Sequence, residues 1–467
     1  MSSGSVFDRI NSLLDAGSFR PILSGVEQHG ADMPHRPGDG VVAGFGKIGG
    51  RNVAVFAHDP AFAGGSLGEV GVRKIAKLYE LAARFGYPII GLADSSGARI
   101  QEGARSLIAV GELIKTANKA HGKIPQINVI IAGGVGGAAF TAAVGDVVIG
   151  VAKTGYMFLH GPRAVKHATG QDVSIMELGS VKTLAASSGL IDFVTEDEAQ
   201  AISLVKKLLS YLPSNYLATP PTSIATESTI KQDLESTETR RLIAEIIDPG
   251  TFLEFKADYA RNLITGLGRV DGLVVGVVAN EPNVFKGYID GKACVKLSRF
   301  VDFCNSFNIP VLTIVDTPGF EPGVAAEHGG IIREGTWVYR SYLNATVPKV
   351  TLIAGKAYGG AYIAMCSKGI GADYVLALPD AEVAVQPLEV SAEILFRKEL
   401  EKLPDDQKAA AFAQYVEALR TKSRGDALLS IGVADVIVKR EEVKKTVSSV
   451  LHSLYDGYVK NSSLNRS

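Results

Sequence analysis

The sequence predicts an α/β protein in which two copies of one unit follow each other along a 467-residue chain. Three observations predict it. Strand-like apolar runs alternate with helical patterns, two long stretches repeat each other at a nearly constant offset, and a stretch rich in proline and hydroxyl residues lies between them.

VAVFAHD, PIIGLAD and INVIIAG read as strands in the first half, and LVVGVVAN, VLTIVD and KVTLIAG in the second. Most are apolar on both faces, as strands are when helices cover both sides of a sheet. In KIAKLYELAARFGYPIIGLADSSGARIQEG a helix leads to a turn before Pro88, then a buried strand and a glycine-containing loop. CVKLSRFVDFCNSFNIPVLTIVDTPGFEPG has the same order. Pro88 matches Pro310, Asp94 matches Asp316 and Gly97 matches Gly319 at an offset of 222, while Pro125 matches Pro348 and Gly137 matches Gly360 at 223. Between Leu212 and Ser236 the chain carries Pro213, Pro220 and Pro221 among many hydroxyl residues, a composition suited to an extended, solvated linker. The expected domains are 1–225 and 226–467.

Lys plus Arg number 48 against 49 Asp plus Glu, a net charge of −1, which supplies no global field for nucleic acid or an anionic membrane. The most apolar region, 127–152, contains Asp146 and a glycine cluster and reads as a buried strand and helix rather than a membrane span. The opening MSSGSVFDRINSLLDAGSF has no uninterrupted apolar core and is not a secretory signal. Cys294, Cys304 and Cys366 show neither metal-ligand spacing nor a disulfide framework, so no metal is expected and a reducing cytoplasm is the expected setting. Cys366 reads as a small buried residue.

AGKAYGGAYIAM follows the apolar run VPKVTLI and contains no acid, histidine or evident nucleophile. Its chemistry must come from the backbone. A loop after a buried strand and before a helix presents unpaired N–H groups at the positive end of the helix dipole, and glycine admits a ligand close to them. Each half has two such loops, Ser96-Gly97-Ala98 and Gly136-Gly137-Ala138, then Pro318-Gly319-Phe320 and Gly359-Gly360-Ala361. Two N–H donors from separate loops form an oxyanion hole. Glycines that merely permit tight turns and close packing explain one such loop better; the fourfold recurrence favours the oxyanion reading. Neither GxGxxG nor GxxxxGK[ST] spacing is present.

The motifs GDGVVAGFG, AGGSLGEVGVRKI, DSSGARIQEG, VGGAAF, MFLHGP and LLSYLPSN, followed by GLGRVDGLVVGVVAN, GGIIREG, VPKVTLIAGKAYGGAYIAM and SKGIGADYVLALPDAEVAV, resemble the carboxyltransferase (beta) subunits of biotin-dependent acyl-CoA carboxylases from about Phe7 to about Val438. The resemblance implies two crotonase-like domains related by internal duplication, assembled at least as a dimer and commonly as a hexamer. It implies that acyl-CoA uses the N-terminal domain of one subunit, while carboxybiotin enters from the C-terminal domain of its dimer partner. It implies that the N–H groups of Gly137 and Ala138, with Gly97 and Ala98, hold an enolate oxygen. Those of Gly360 and Ala361, with Gly319 and Phe320, would then hold the ureido oxygen of biotin. Gly136, Gly359, Tyr358 and Ile363 are the associated binding positions. Ile363 stands where members that prefer propionyl groups often carry Asp, which implies graded preference among short acyl-CoAs. The chain has neither a biotinylation motif nor a nucleotide loop, so biotin carboxylase and biotin carrier partners are expected.

Three departures from the family pattern stand out. Six residues precede Phe7, so CoA contacts are expected to differ. QPLEVSAEIL, from Gln386 to Leu395, replaces a glycine-containing run. His160 stands where the family carries Thr or Val, and Ser96 where it carries Gly. His160 beside Gly-Pro reads first as a hydrogen-bonded structural residue and second as a lining of the acyl pocket or a proton relay. Glu69, Arg99 and Glu102 read as solvated loop charges that support the first site, and the charged run from Lys398 to Asp406 as an exposed helix and turn. Two alternatives remain: a malonyl-type decarboxylase or transcarboxylase on the same fold, and a non-catalytic scaffold.

Overall fold

The computed structural model describes residues 5–28, 36–222 and 234–464. It divides into two compact units, Met1–Pro221 and Thr222–Ser467. The expected boundary at 225/226 and residues 223–233 of the expected linker lie outside the described residues; the start of that linker is not extended and solvated, since Leu212 and Pro213 are buried and the Leu212 carbonyl accepts from Arg51 at 2.8 Å. Among the described residues no helix is long and apolar enough to cross a membrane.

The first unit holds strands β1 (Arg20–Pro21), β2 (Val41–Ile48), β3 (Arg51–His58), β4 (Ile89–Ser95), β5 (Gln126–Val135), β6 (Val147–Val151), β7 (Tyr156–Phe158) and β8 (Phe193–Thr195). They form one sheet in the order β1-β2-β3-β4-β5-β6-β8, with β7 also paired to β5. The second unit holds β9 (Leu253–Phe255), β10 (Leu263–Val270), β11 (Leu273–Asn280), β12 (Val311–Thr317), β13 (Lys349–Tyr358), β14 (Tyr374–Ala377), β15 (Glu382–Ala384) and β16 (Val436–Ile437). Their order is β16-β14-β13-β12-β11-β10-β9, with β15 also paired to β13. The tandem α/β architecture expected from the sequence is therefore present, and both sheets mix an antiparallel edge with a parallel centre.

The repetition reaches the register. Val41 faces His58 in the first hairpin and Leu263 faces Asn280 in the second. The two hairpins turn on Gly49-Gly50 and Asp271-Gly272, all four residues at positive φ, as a two-residue turn that follows the strand twist requires. Central strands are buried along nearly their whole length. Helices Glu69–Phe85 and Ala104–Ala120 cover the first sheet with Ile75, Leu78, Tyr79, Ala109 and Leu113. In the second unit the helix Val443–Leu464 contributes Val447 and Leu451 to a core with Val275, Leu312 and Val350.

One buried polar contact also recurs. Lys74 donates from Nζ to the Val41 carbonyl at 2.7 Å, and Lys296, at the same offset of 222, donates to the Leu263 carbonyl at 2.7 Å. Lys296 also donates to the carbonyls of Tyr259 at 2.8 Å and Lys256 at 2.9 Å. Burial lowers both amines, Lys74 to about 8 and Lys296 to about 7. Lysine therefore holds the strand entrance at a desolvation cost, and its contacts with the Val41, Tyr259 and Leu263 carbonyls are buried. We expect Lys296→Met to destabilise the fold by about 1–3 kcal/mol for each carbonyl left without a donor. Lys74→Met, with one such carbonyl, should cost less. Urea unfolding midpoints of the two variants test the order.

Candidate active site

The two glycine loops of each unit meet because of a break in strand pairing. Along β4 and β5 the partners Ala93↔Ile130 are followed by Ser95↔Gly134, and along β12 and β13 Val315↔Ile353 is followed by Thr317↔Ala357. In each case the longer strand gains two residues over its neighbour. Its last three residues keep that neighbour on one side and on the other exchange β6 or β14 for a short strand, β7 for Gly133–Val135 and β15 for Lys356–Tyr358. A helix begins at once, Gly137–Val144 in the first unit and Gly359–Ala364 in the second. Gly136 and Gly359 each have φ of 55°, the left-handed conformation in which glycine carries no steric penalty.

These helix starts leave the N–H groups of Gly137 and Ala138, and of Gly360 and Ala361, without intrahelical acceptors. The facing loop is close. A Cβ on Gly97 would lie 3.1 Å from the carbonyl oxygen of Val135, the residue before Gly136. The ring of Phe320 lies 3.4 Å from the Cβ position of Gly360. Within each facing loop one N–H is already engaged. Gly97 donates to Ser95 Oγ at 3.2 Å and Gly319 to Thr317 Oγ1 at 3.3 Å. Leu67 and Ile289 pair with the next residues, Ala98 and Phe320, as isolated parallel bridges. These bridges use the carbonyls of Gly97 and Gly319 and the N–H groups of Arg99 and Glu321. Among the described residues the N–H groups of Ala98 and Phe320 have no protein acceptor, so they are the open donors of these loops.

Side chains that the sequence did not single out hold this backbone. Tyr339, on the helix Ile331–Asn344, donates from its hydroxyl to the Gly360 carbonyl at 2.9 Å. That carbonyl shares a planar peptide with the Ala361 N–H, so fixing one fixes the direction of the other. Ser95 and Thr317 are themselves related by the offset of 222, which was the available signal for them. Tyr339 has no such counterpart to betray it, since Ala117 stands at the matching place.

Two of the three loop charges, Arg99 and Glu102, are not solvated. Arg99 is buried, ion-paired to Asp39 and, at 2.9 Å, to Glu102, and it lies over the Phe62 ring at 5.3 Å. Its Nε donates to Ser66 Oγ at 3.1 Å, while Glu102 accepts from the Glu69 N–H at 2.6 Å. A guanidinium this far from water persists because its donors are matched by acceptors on several sides. The cluster ties the residue after Ala98 to the start of the helix Glu69–Phe85. Glu69 pairs at the surface with Arg73 at 2.7 Å.

Tyr358, expected beside a ligand, is buried and directs its hydroxyl into the Glu382 carboxylate. Burial and then that carboxylate push its phenol above the ordinary value, so it is a neutral donor. Ile363 is 42% exposed on the helix Gly359–Ala364. His160 is exposed at the bend after β7, and its expected structural hydrogen bond is absent among the described residues. His58 is buried with both ring nitrogens unpartnered, and burial lowers it to about 4, so it is neutral. Asp94 and Asp316 match in sequence but differ in partners: Asp94 pairs with Arg9 at 3.1 Å, whereas Asp316 accepts from the Lys356 N–H at 2.9 Å. Cys366 is buried, and burial pushes its thiol up to about 12, which removes it as a nucleophile. The run from Lys398 to Asp406 is the expected exposed helix and turn. No group of residues able to hold a metal ion occurs among the described residues.

Two turns with open backbone donors can each stabilise an oxygen that becomes anionic. The chain matches the carboxyl transferase domain family over residues 3–466. A propionyl-CoA carboxylase carboxyltransferase subunit of Haloferax mediterranei is 42% identical over 427 residues, 88% of this chain and 83% of that protein. The methylmalonyl-CoA carboxyltransferase 12S subunit of Propionibacterium freudenreichii subsp. shermanii is 40% identical over 461 residues, covering 95% of this chain and 87% of its own. A crystal structure of transcarboxylase 12S, described as a hexamer with methylmalonyl-coenzyme A and methylmalonic acid bound, superposes with a TM-score of 0.90 at 38% identity, over 97% of this chain and 89% of that one. With its duplicated fold and its backbone donors, the chain belongs to the carboxyl transferase family that includes the carboxyltransferase subunits of acyl-CoA carboxylases.

Proposed function

We propose that this enzyme moves a carboxyl group from carboxybiotin to the α-carbon of a short acyl-CoA, such as acetyl-, propionyl- or butyryl-CoA, as one subunit of a larger carboxylase. The observation that carries this reading is the presence of the same open-donor turn in both units, one for each of two substrates that develop an anionic oxygen. In the first unit the N–H groups of Ala98, Gly137 and Ala138 would receive the thioester oxygen as the α-proton leaves. In the second, those of Phe320, Gly360 and Ala361 would receive the ureido oxygen as the N–C bond to the carboxyl group breaks. The ureido nitrogen takes the α-proton while the new C–C bond forms, so no side-chain base is needed. Each donor in such a hole is worth about 2.7–4 kcal/mol in the transition state.

Carboxybiotin is then a substrate, brought by a separate carrier protein and charged by a separate biotin carboxylase in the cytoplasm. The minimum active unit is a dimer in which the halves of each site come from different subunits, and the hexamer of the 12S structure is the model for the assembly. A second reading has a specific observation in its favour. The methylmalonyl-CoA decarboxylase alpha subunit of Veillonella parvula is 38% identical over 462 residues, so the same chemistry run toward biotin is an alternative direction. Purified protein given free biotin and either malonyl-CoA or methylmalonyl-CoA should release acetyl-CoA or propionyl-CoA. Absence of biotin-dependent turnover with both thioesters would sink both readings and favour a scaffold.

Substitution of the glycines should separate chemistry from packing. A Cβ on Gly360 meets only ordinary contacts, whereas one on Gly137 would lie 2.5 Å from Val110 Cγ1. We expect Gly360→Ala, which adds only that Cβ, to keep its thermal midpoint and lose about 100-fold in biotin-dependent kcat. Gly137→Val should instead lose about 1–3 kcal/mol of stability through overpacking. Turnover and thermal unfolding measured together distinguish the two.

Ile363→Asp should change the relative kcat/KM for acetyl-, propionyl- and butyryl-CoA, because one methylene in an apolar pocket is worth about 1–3 kcal/mol. A uniform fall for all three in a folded variant would show that acyl selectivity resides elsewhere.

A further inference from the structure

Glu382 lies on the three-residue strand β15 with its carboxylate out of solvent. Three donors converge on it. The Tyr358 hydroxyl donates to Oε1, while Nε of Arg420 and Nε of Arg424 donate to Oε2 at 3.2 and 3.1 Å. A buried carboxylate held in this way depends on its partners, and its loss leaves two guanidinium groups without their common anion.

Each arm of the cluster leads to a different part of the second unit. Tyr358 is the last residue of β13 and caps the helix Gly359–Ala364. β15 pairs with the end of β13 through Lys356↔Glu382, Ala357↔Val383 and Tyr358↔Ala384. The Val385 carbonyl reaches to 3.0 Å from the Cβ position of Gly359. The arginines belong to the end of the helix Asp405–Thr421 and the turn after it, where the Ser423 carbonyl accepts from the Val383 N–H at 3.0 Å. That helix packs on Leu388–Leu395 around Leu388, Ala392 and Val416, with Phe396 stacked on Tyr415 at 4.0 Å. The segment that departs from the family pattern in sequence thus forms a small helical layer of its own, joined to the strand before the glycine turn by buried charge. At the same place the first unit has Tyr156, paired with Gly133 and stacked on Phe158 at 5.4 Å, and no carboxylate.

We propose that Glu382, with Tyr358, Arg420 and Arg424, is a positioning element for carboxyl transfer. It fixes the strand end from which the Gly360 and Ala361 N–H groups project, and it makes their direction depend on the seating of the 388–421 helical layer. None of the four residues touches substrate in this account; they act through the backbone of 358–361. The inference rests on the second unit being the carboxybiotin side.

A joint with only a structural role would lower stability and leave the folded fraction with unchanged kinetic constants. A positioning joint lowers kcat while acyl-CoA binding, assigned to the other unit, stays intact. Glu382→Gln, Tyr358→Phe, Arg424→Lys and Arg424→Met are to be compared with wild type for biotin-dependent turnover of methylmalonyl-CoA, for CoA-thioester affinity by calorimetry and for thermal unfolding. Expected are a fall in kcat of about 10–100-fold in Glu382→Gln, unchanged thioester affinity, and partial recovery in Arg424→Lys relative to Arg424→Met. Wild-type kcat in Glu382→Gln overturns the proposal, and so does a fall in kcat that only tracks loss of folded protein across the set. If Glu382→Gln does not fold, Tyr358→Phe and the two Arg424 variants decide by the same comparison. If wild type transfers no carboxyl group to biotin, the functional reading fails separately. Crystal structures of the folded variants then decide the positioning claim: a displaced 359–361 backbone upholds it and an unmoved one overturns it.

Discussion

A parallel strand that ends where a helix begins cannot satisfy the first N–H groups of that helix from within, and both units are organised around this constraint. The pairing break after Ala93 and Val315 frees the end of the neighbouring strand to swing onto a short extra strand. The helix that follows then points its unpaired donors at the space beside the loop of Ala98 or Phe320. Nothing in this arrangement requires a reactive side chain. It requires that the backbone be held still, and most of the polar side chains around the turns serve that end.

The two units keep this frame while exchanging the parts around it. The hairpin turns, the lysine under the first long strand, the isolated bridges at Leu67 and Ile289 and the hydroxyls of Ser95 and Thr317 recur at one offset. The supports outside that frame have diverged. The first unit anchors its loop through Arg99, Asp39 and Glu102, whereas the second fixes its turn through Tyr339 and the Tyr358–Glu382 contact. If, as proposed, the two copies meet different substrates, they need the same donors but different surroundings, and the division between recurring backbone and diverged side chains matches that need.

Much of this frame was legible in the sequence because it is written in glycine, proline and alternating apolar runs, the residue types whose backbone preferences act locally. The strands around Ile90, Val129, Leu312 and Leu352 and both glycine turns fall where the repeat placed them. The side-chain supports were not legible. Arg99 and Glu102 read as solvated charges because exposure depends on partners such as Asp39, sixty residues away in sequence. Tyr358 stood among the binding positions implied by the resemblance, and nothing in its local sequence showed that its hydroxyl donates to Glu382, twenty-four residues on. Gly97 and Gly319 read as donors, but Ser95 and Thr317 sit two residues back and take their N–H groups.

The glycines themselves answer to packing as well as chemistry, and the two demands are not alternatives. Gly136 and Gly359 are required by a positive φ at the point where strand becomes helix. Gly137 is required because Val110 and Leu67 fill the space of its missing side chain. Gly360 meets neither demand, since its φ is not positive and a Cβ there would make only ordinary contact with Phe320 and Tyr339. A glycine that neither the backbone conformation nor the packing requires, placed at an open donor, is the one whose absence of side chain is best explained by what must approach it from outside.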